Sequence, residues 1–342
     1  MLAGYDIVVN AAYDHTVLPA IQAAIHNRAQ YCDANTRFVE QALQLTSEAE
    51  AAGTTAILAN GIGPGTSNTM GVHVARQLDA VEQLQRGLGP LVNFGSGREL
   101  TPRQWFEQPR QSLAALPEFK GFIGWMLKRL QANGAQAVRD YRESRWVETN
   151  PIRSGVDVPR LQGGSFRSHP FVSTKDDWGA LPADLSPVPA ADMWFSALPP
   201  QLDAVLLEQA LRVVEEGIDP DASLNAFYDT AEKCPQQWLT VSDDYMPVPV
   251  MWVRAVGRKG GRVARCACWF TAPMWEAGGY LITSMALVAA AFKVLRGEIQ
   301  KRGVMTAETA FEPRPFFDEM AALLPDQLPD GKLIDESFEW LE

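Results

Sequence analysis

The apolar pattern at the start of the chain alternates short strands with helices. Short apolar runs predict strands over 6–10, 30–33 and 55–58. A helix over 16–26 follows the first strand, and a second helix follows the next, with an apolar stripe made of Phe38, Ala42, Leu45 and Ala49. Gly53 supplies the C-terminal stop of that second helix. Such alternation favours a parallel sheet, so the predicted fold class is α/β with part of a doubly wound, Rossmann-type sheet.

After Asn68 the apolar pattern is less regular and predicts a mixed α/β arrangement. The predicted elements are helices over 69–78, 121–145, 202–214 and 316–324, a β-hairpin of 249–255 with 262–270, and an apolar helix from about 279. Long loops with short strands are expected over 151–200, which is rich in Gly, Pro, Ser and Asp. The predicted domains are a partial dinucleotide-binding domain (1–68), a substrate domain (69–276), and a helix and tail (277–342) that return to the first domain.

The predicted parallel sheet has too few strands to be stable by itself. A parallel sheet is covered by helices on both faces, and isolated small sheets are marginally stable. We therefore expect the first half of the Rossmann sheet to be missing from this chain, and Met1 to be an internal or misassigned start. The alternative is that strands from later in the chain complete the sheet.

Charge and cysteine content narrow the classes of partner. The net charge is -11, from 41 acidic and 30 basic residues, which argues against a nucleic-acid partner. The 4 cysteines are too scattered for a disulfide scaffold and fit a reducing compartment. The longest apolar stretch, 280–292, is shorter than the roughly 20 residues that span a bilayer, and no secretory signal opens the chain. We expect a cytoplasmic protein with no membrane partner.

A glycine-rich segment follows the third predicted strand and opens a helix. The segment 61–68 reads Gly-Ile-Gly-Pro-Gly-Thr-Ser-Asn, and such a turn can bind a pyrophosphate at a helix N-terminus. Its spacing is G-x-G-x-G rather than G-x-G-x-x-G, and Pro64 removes one N–H donor. A tight crossover turn, with a helix start at Ser67, is the favoured interpretation.

The ends of the first two strands carry the first candidate site residues. Ligands of open parallel sheets lie across the carboxyl ends of the strands. Ala11 and Ala12 are small enough for a flat cofactor ring to approach the backbone after Asn10. Asp33 ends the second strand and could donate a proton or orient an amine. The alternative is that Asp33 caps a helix beginning near Asn35.

Other chemistries find little support. No pair among the 4 histidines has metal-ligand spacing on a helix face, Cys266-x-Cys268 is typical of core packing, and no nucleophile elbow or Walker lysine loop is present. Metal, hydrolase and kinase functions are therefore not expected. Arg98 follows a glycine-rich turn and could bind a substrate carboxylate through two parallel hydrogen bonds, with a solvated surface role as the alternative.

Several segments together resemble the saccharopine dehydrogenase family. Residues 6–34 are similar to the last strands of its cofactor domain, and 51–68 to the junction into its substrate domain. Gly278-Gly279-Tyr280 with the following helix, and the segments 295–308 and 315–319, are similar to its closing part. The resemblance covers the first and last thirds of the chain, whereas residues 98–246 contribute little.

The resemblance implies a Rossmann-type cofactor domain, a mixed α/β substrate domain, and NAD or NADP as cofactor. It implies hydride transfer with a small-molecule substrate, an amine-bearing acid or a related imine. On the cofactor side it places Asn10, Ala11, Ala12, Tyr13 and Cys32. On the substrate side it places Gly63, Gly65, Asn68, Gly95, Ser96 and Arg98. Asp33 and Tyr13 are the candidate catalytic residues, which would handle a proton.

Two departures from the family pattern matter. The sequence contains no G-x-G-x-x-G turn, so we expect weak dinucleotide binding by this chain. Gly63 also stands before Pro64 where members that act on saccharopine often carry Asp, which favours another substrate. A non-catalytic remnant or interaction subunit of the same fold is the alternative function, and a homodimer is left open.

Overall fold

The computed structural model of the chain describes most of its first and last thirds. The described residues are 4–12, 14–35, 38–63, 65–88, 200–235, 251–271, 278–324 and 328–341, with short segments at 123–124, 127–128, 130–131, 139–142, 145–148, 156–159, 165–168 and 190–195. Two sheets organise these residues, one parallel and one mostly antiparallel.

The parallel sheet has 4 strands in the order β1-β2-β3-β12. The strands are β1 (Ile7–Asn10), β2 (Gln30–Asp33), β3 (Thr55–Leu58) and β12 (Gly303–Thr306). The first three confirm the strands predicted from the apolar pattern. The fourth comes from near the end of the chain, with Gly303 opposite Thr55, so a later strand does extend the sheet. The fold class is therefore α/β, as predicted.

Three helices connect the first strands. They are α1 (Val17–His26), α2 (Val39–Leu43) and α3 (Thr46–Ala52). The single helix predicted from the stripe that starts at Phe38 is wrong, because the structure divides it into α2 and α3. Phe38 itself has a left-handed backbone, with a φ of 63°. Gly53 ends α3 with a φ of 75°, which confirms the predicted C-terminal stop.

The helix α4 (Thr66–Ala75) lies in the interior, and all of its residues are buried. It begins three residues before the predicted segment 69–78 and one residue before the alternative start at Ser67. It contacts strands of the antiparallel sheet as well as the last helices of the chain. Because it is buried all round, its polar residues need partners inside the protein. These residues become part of the candidate site.

The second sheet has 7 strands in the order β13-β11-β10-β4-β9-β5-β6. Its strands are β4 (Ala80–Leu88), β5 (Arg139–Arg142), β6 (Arg145–Glu148), β9 (Ala190–Phe195), β10 (Met251–Lys259), β11 (Arg262–Phe270) and β13 (Ile334–Trp340). A separate pair joins β7 (Val156–Pro159) to β8 (Ser165–Ser168). The hairpin β10–β11 confirms the prediction.

The helix predicted over 121–145 is wrong in its last part. The described residues 123–124, 127–128 and 130–131 are helical, but β5 and β6 form an antiparallel hairpin with Tyr141 opposite Trp146. Pairing of β5 with β9 extends the sheet, so tertiary hydrogen bonding outweighs local helical spacing.

Two helices after residue 200 build a small core together with Ile123, Leu127 and Leu130. They are α5 (Pro200–Glu215), which the sequence predicted, and α6 (Pro220–Lys233), which it did not. The Asp219 side chain caps α6 by accepting a hydrogen bond from the Ala222 N–H at 3.0 Å. Asp219 followed by Pro220 is the signal that would have predicted this helix.

The apolar helix α7 (Gly278–Leu295) packs on β1 and β2. Its residues Ile282, Met285 and Ala286 share one core with Cys32 and Ile57. Its C-terminal half is apolar but partly exposed, with exposed fractions of 39% at Val288, 44% at Phe292 and 48% at Leu295.

The chain closes with α8 (Ala307–Ala310), α9 (Pro313–Ala322) and β13. The start of α9 precedes the predicted residue 316, because Pro313 occupies the first turn, where its missing N–H costs nothing. No helix in the described parts of the chain is long and apolar enough to cross a membrane.

Candidate active site

Every strand of the parallel sheet ends in a buried polar side chain. Asn10 ends β1, Asp33 ends β2, Asn60 follows β3 and Glu308 follows β12. Their exposed fractions are 7%, 0%, 0% and 3%. Since the carboxyl ends of parallel strands meet at one edge of a sheet, these four groups belong to one edge. Two hydrogen-bonded clusters hold Asn10, Asp33 and Glu308, whereas Asn60 donates to the Ala286 carbonyl and its Oδ1 has no hydrogen-bond partner among the described residues.

The first cluster joins the ends of β1 and β2 through a tyrosine. Asn10 Nδ2 donates to the Tyr31 hydroxyl at 2.9 Å, and that hydroxyl donates to Asp33 Oδ2 at 2.8 Å. Asn10 Oδ1 accepts from the Ala12 N–H at 3.0 Å and from the Thr16 hydroxyl at 3.2 Å. Asn10 therefore fixes the turn that follows β1.

The Asp33 carboxylate also joins β2 to β3. Its Oδ1 accepts from the Ala59 N–H at 2.9 Å and from the Asn35 N–H at 3.2 Å. The bond to Asn35 is local, whereas the bond to Ala59 crosses to the neighbouring strand. Burial, and then the charge of Asp33, raise the pKa of the Tyr31 hydroxyl far above its ordinary range. Tyr31 therefore remains a hydrogen-bond donor to Asp33 at any physiological pH.

The loop after β3 is strained and closely packed. Ala59 is buried and has a φ of 52°, a left-handed conformation that alanine rarely adopts. Gly65 has a φ of 100°, and a Cβ at this position would lie 2.5 Å from the Ala59 carbonyl oxygen. A side chain at position 65 would therefore force this loop apart.

The first amides of α4 are used inside this loop. The Thr66 N–H donates to the Gly61 carbonyl at 2.8 Å, and the Ser67 N–H donates to the Ile62 carbonyl at 3.0 Å. A phosphate would need such amides as free donors. The geometry supports the interpretation of 61–68 as a tight crossover turn, with the helix starting at Thr66, one residue before the predicted Ser67.

The helix α7 supports the same loop from outside the sheet. Asn60 Nδ2 donates to the Ala286 carbonyl at 2.5 Å, and the Ile62 N–H donates to Thr283 Oγ1 at 3.3 Å. These bonds connect the carboxyl edge to a helix more than two hundred residues later in the chain. The position of the loop therefore depends on how α7 packs.

The second cluster connects the two sheets through α4. Arg86 on β4 is 1% exposed, and its Nη1 donates to Ser67 Oγ at 2.8 Å and to Asn68 Oδ1. Asn68 Nδ2 in turn donates to Glu308 Oε1 at 3.3 Å. Both ends of the Asn68 amide therefore have partners within the protein.

Glu308 is the titratable group of this second cluster. Burial raises its pKa to about 7, against the opposing effects of hydrogen bonds from its own backbone, Thr306 and Asn68 and the charge of Arg86. The carboxyl therefore changes its charge in the neutral range, where a buried acid can control structure or chemistry.

The predicted cofactor-side residues occupy two environments. Ala11 and Ala12 are exposed, and their small side chains leave the backbone after β1 open to a flat ring, which fits a nicotinamide cofactor. Cys32 is fully buried among core residues, and burial followed by the charge of Asp33 raises its pKa far above the ordinary value. Its thiol is therefore a packing group.

The predicted substrate-side residues are described only in part. Gly63 is half-buried, whereas Gly65 and Asn68 are buried. Gly65 lies against the Ala59 carbonyl, and the Ala59 N–H donates to Asp33, so this end of the sheet brings Asn10, Asp33 and the loop after β3 together. Tyr13, Gly95, Ser96 and Arg98 lie outside the described residues, so their predicted places on the cofactor and substrate sides remain predictions.

Sequence reasoning missed Tyr31, Asn60, Arg86 and Glu308. Glu308 lies in the segment 303–308, which carried the family resemblance without suggesting a role for it. Tyr31 lies two residues before Asp33 and shares its face of β2, a spacing that was available in the sequence. Arg86 gave no local signal, because its partners are on α4. Within the described segments, no three His, Cys, Asp or Glu side chains gather as metal ligands do.

Comparison with known proteins connects this geometry to a family. Residues 1–57 match the family model of the saccharopine dehydrogenase NADP binding domain. No curated protein matches the sequence. Among solved structures, the fold is similar to an apo saccharopine dehydrogenase (L-Glu forming) from Saccharomyces cerevisiae, with a TM-score of 0.58, 11% identity, and coverage of 98% of this chain and 85% of that one.

A second solved structure, GenD2 from gentamicin A biosynthesis in complex with NAD, aligns with a TM-score of 0.20 and 13% identity over 66% of this chain and 74% of that one. At that score the alignment carries no argument about fold or function. The family match of the first residues comes from the family model, and the fold of the whole chain comes from the yeast structure. Residues 1–57 therefore match the saccharopine dehydrogenase NADP binding domain, and the chain as a whole has the fold of a saccharopine dehydrogenase.

Proposed function

We propose that this protein is an NAD(P)-dependent oxidoreductase that transfers hydride between the nicotinamide cofactor and an amino-acid-derived amine or imine. The observation that carries the proposal is the hydrogen-bonded row Asn10–Tyr31–Asp33, with exposed Ala11 and Ala12 beside it. This row lies within the segment that matches the NADP binding domain. Ligands of open parallel sheets bind at this edge.

The proposed reaction needs a group that accepts or supplies one proton. Oxidation of a CH–NH group sends a hydride to the cofactor and releases a proton, and the reverse reaction takes both up. Asp33 is the proposed proton-handling group, together with Tyr13, since its carboxylate is buried at the edge. Arg98 is proposed to hold a substrate carboxylate. Gly63 in place of an acid favours a substrate other than saccharopine.

Cofactor affinity is expected to be low in this chain. No G-x-G-x-x-G turn is present, and the amides of Thr66 and Ser67 are already bonded within the loop. Few backbone donors therefore remain for a pyrophosphate. We expect dissociation constants for NADH and NADPH weaker than about micromolar, measured by titration calorimetry.

A turnover assay tests the function. The purified chain is given NADPH or NADH at millimolar concentration with a panel of 2-oxo acids plus amines, and absorbance follows the reduced cofactor. We expect substrate-dependent oxidation, and we expect Asp33→Asn to lower kcat by about 100-fold with little effect on KM. Asp6→Asn, an exposed acid beside the same sheet, is the matched control and should keep full activity.

The non-catalytic alternative makes the opposite prediction. A remnant or interaction subunit would show no turnover with any cofactor or substrate in the panel, and Asp33→Asn would change folding stability alone. All 4 cysteines are free, which supports the reducing, cytoplasmic location that forms part of the proposal. A homodimer also remains a proposal, and sedimentation would test it.

A further inference from the structure

The cluster of Glu308, Asn68 and Arg86 joins three elements of the fold, and Asn68 is the one member that is also a predicted substrate-side residue. Glu308 follows β12 of the parallel sheet, Asn68 lies on α4, and Arg86 lies on β4 of the seven-stranded sheet. Their exposed fractions are 3%, 1% and 1%. A polar path therefore runs through the interior from one sheet to the other.

The amide of Asn68 is the link in this path. Its Oδ1 accepts from Arg86 and its Nδ2 donates to Glu308 at 3.3 Å, so a flipped amide would face donor to donor and acceptor to acceptor. Arg86 also holds Ser67, one residue earlier on α4. The first turn of α4 is thus tied to both sheets, and this turn follows directly on the strained loop of the carboxyl edge.

The charge of Glu308 is poorly compensated in this position. Arg86 on β4 is the charged group that acts on it, and it does so across the Asn68 amide. The other groups that face the carboxyl are neutral, namely Asn68 from α4 and Thr306 from β12. Burial of the carboxylate is costly and outweighs both its hydrogen bonds and the charge of Arg86, so the closed cluster favours the neutral acid.

We propose that Glu308 is a proton-controlled positioning residue: in its protonated form it holds α4 closed against the parallel sheet, and its ionisation loosens the first turn of α4. The physical basis is linkage. Opening the cluster admits water to the carboxyl and favours its charged form, so the closed state binds the proton more tightly than the open state. The proposal rests on the described geometry and does not require the proposed hydride transfer.

Hydrogen exchange of the chain without cofactor tests this proposal. Exchange of peptides that cover 65–72, which leave out His73 and its contact with Glu336, is measured by mass spectrometry from pH 5.5 to 8.5 and corrected for the intrinsic chemical rate. We expect protection of α4 in the wild type to fall by up to about tenfold per pH unit from pH 5.5 to about 7, where opening releases one proton, and to level off at higher pH. In Glu308→Gln, which cannot ionise, protection of α4 should not change with pH.

The matched control is Glu312→Gln. Glu312 lies four residues further on, is exposed, and pairs with Arg76 at 3.0 Å on the surface. Its variant should keep the wild-type pH response. The proposal would be overturned if protection of α4 in the wild type did not change with pH. It would also be overturned if protection in Glu308→Gln changed with pH as it does in the wild type.

A measurement on the wild type alone covers the case in which Glu308→Gln fails to fold. The chain is labelled with 13C at glutamate Cδ, and the carboxyl resonances are titrated by NMR. One resonance with a midpoint near pH 7 supports the proposal, because exposed glutamates titrate near pH 4.3. If every glutamate titrates below about pH 5.5, the proposal is wrong. Neither experiment contains cofactor or substrate, so their failure would be distinct from a failure of the proposed reaction.

Discussion

The loop after β3 lies at the edge of the parallel sheet where the carboxyl ends of its strands meet, and its backbone is tightly constrained. Ala59 adopts a left-handed conformation, and its N–H donates a hydrogen bond to Asp33 Oδ1 at 2.9 Å. Gly65 provides the close approach that lets the loop fold back on Ala59. A strained residue held by a buried carboxylate is typical of functional edges, since the surrounding structure must impose the conformation.

Gly65→Ala should destabilise the fold by at least about 3 kcal/mol, because it combines a positive φ with a Cβ that meets the Ala59 carbonyl oxygen at 2.5 Å. Gly53→Ala is the matched control. Gly53 also has a positive φ, of 75°, but a Cβ there has nothing within 4 Å, so only the backbone cost of about 1 kcal/mol is expected. Urea unfolding measures both, and equal losses would contradict the close approach.

At the scale of single elements, α7 has one buried and one exposed side. Ile282 and Ala286 are fully buried against the strands, whereas Phe292 and Leu295 project from the outer face. The apolar sequence of the helix does not distinguish the two sides. The distinction comes from β1, β2 and α9, which cover only the face that is turned toward them.

Met285→Ala and Phe292→Ala test this division of the helix. Met285 is 4% exposed in the shared core, so its truncation should cost about 2–4 kcal/mol. Phe292 is 44% exposed, so the loss should be under about 1 kcal/mol although its side chain is larger. Chemical denaturation of the two variants gives the comparison. A larger loss at Phe292 would show that another part of the chain or a partner covers this face.

At the scale of the whole molecule, the end of the chain contributes one strand to each of the two larger sheets. β12 enters the parallel sheet beside β3, and β13 forms an edge of the seven-stranded sheet beside β11. Glu336 on β13 contacts His73 of α4 at 2.7 Å and accepts from Arg314 of α9 at 2.5 Å. The last strand is therefore fixed to the buried helix that also carries Asn68.

Glu336→Gln should weaken this attachment in a pH-dependent way. Partial burial acts to raise the pKa of Glu336, but hydrogen bonds from His73 and Arg314 outweigh it and leave the pKa below its ordinary value. A lowered folded-state pKa adds stability above the unfolded pKa, and that stability is lost as the pH falls through the folded value. The variant should be less stable at pH 7 by about 1 kcal/mol or less, since the pair is partly exposed.

The difference between wild type and Glu336→Gln should shrink when urea unfolding is repeated at pH 4 and below. Glu339→Gln, also on β13, removes a more exposed pair with Arg265 at 2.6 Å and serves as control, with a smaller effect. A difference that grows toward low pH would contradict the assignment to Glu336.

Local periodicity by itself determined the strands 30–33 and 55–58, the hairpin β10–β11 and the polar strand ends Asn10 and Asp33. These features depend on residues a few positions apart, where alternation, glycine turns and helical spacing act directly. The same local signal predicted a tight turn over 61–68, which the bonded amides of α4 support.

The tertiary structure alone decided which distant segments meet. β12 pairs with β3 across more than two hundred residues, and Glu308 reaches Asn68 over a similar separation. Arg86 becomes a buried cation only because β4 passes beneath α4, and the helix predicted from the stripe at Phe38 is divided after Leu43 although its spacing favoured a single helix. The local sequence pattern does not reveal such contacts, because the partners lie far apart in the chain. Burial and hydrogen bonding between the sheets determine which residues meet once the elements have formed.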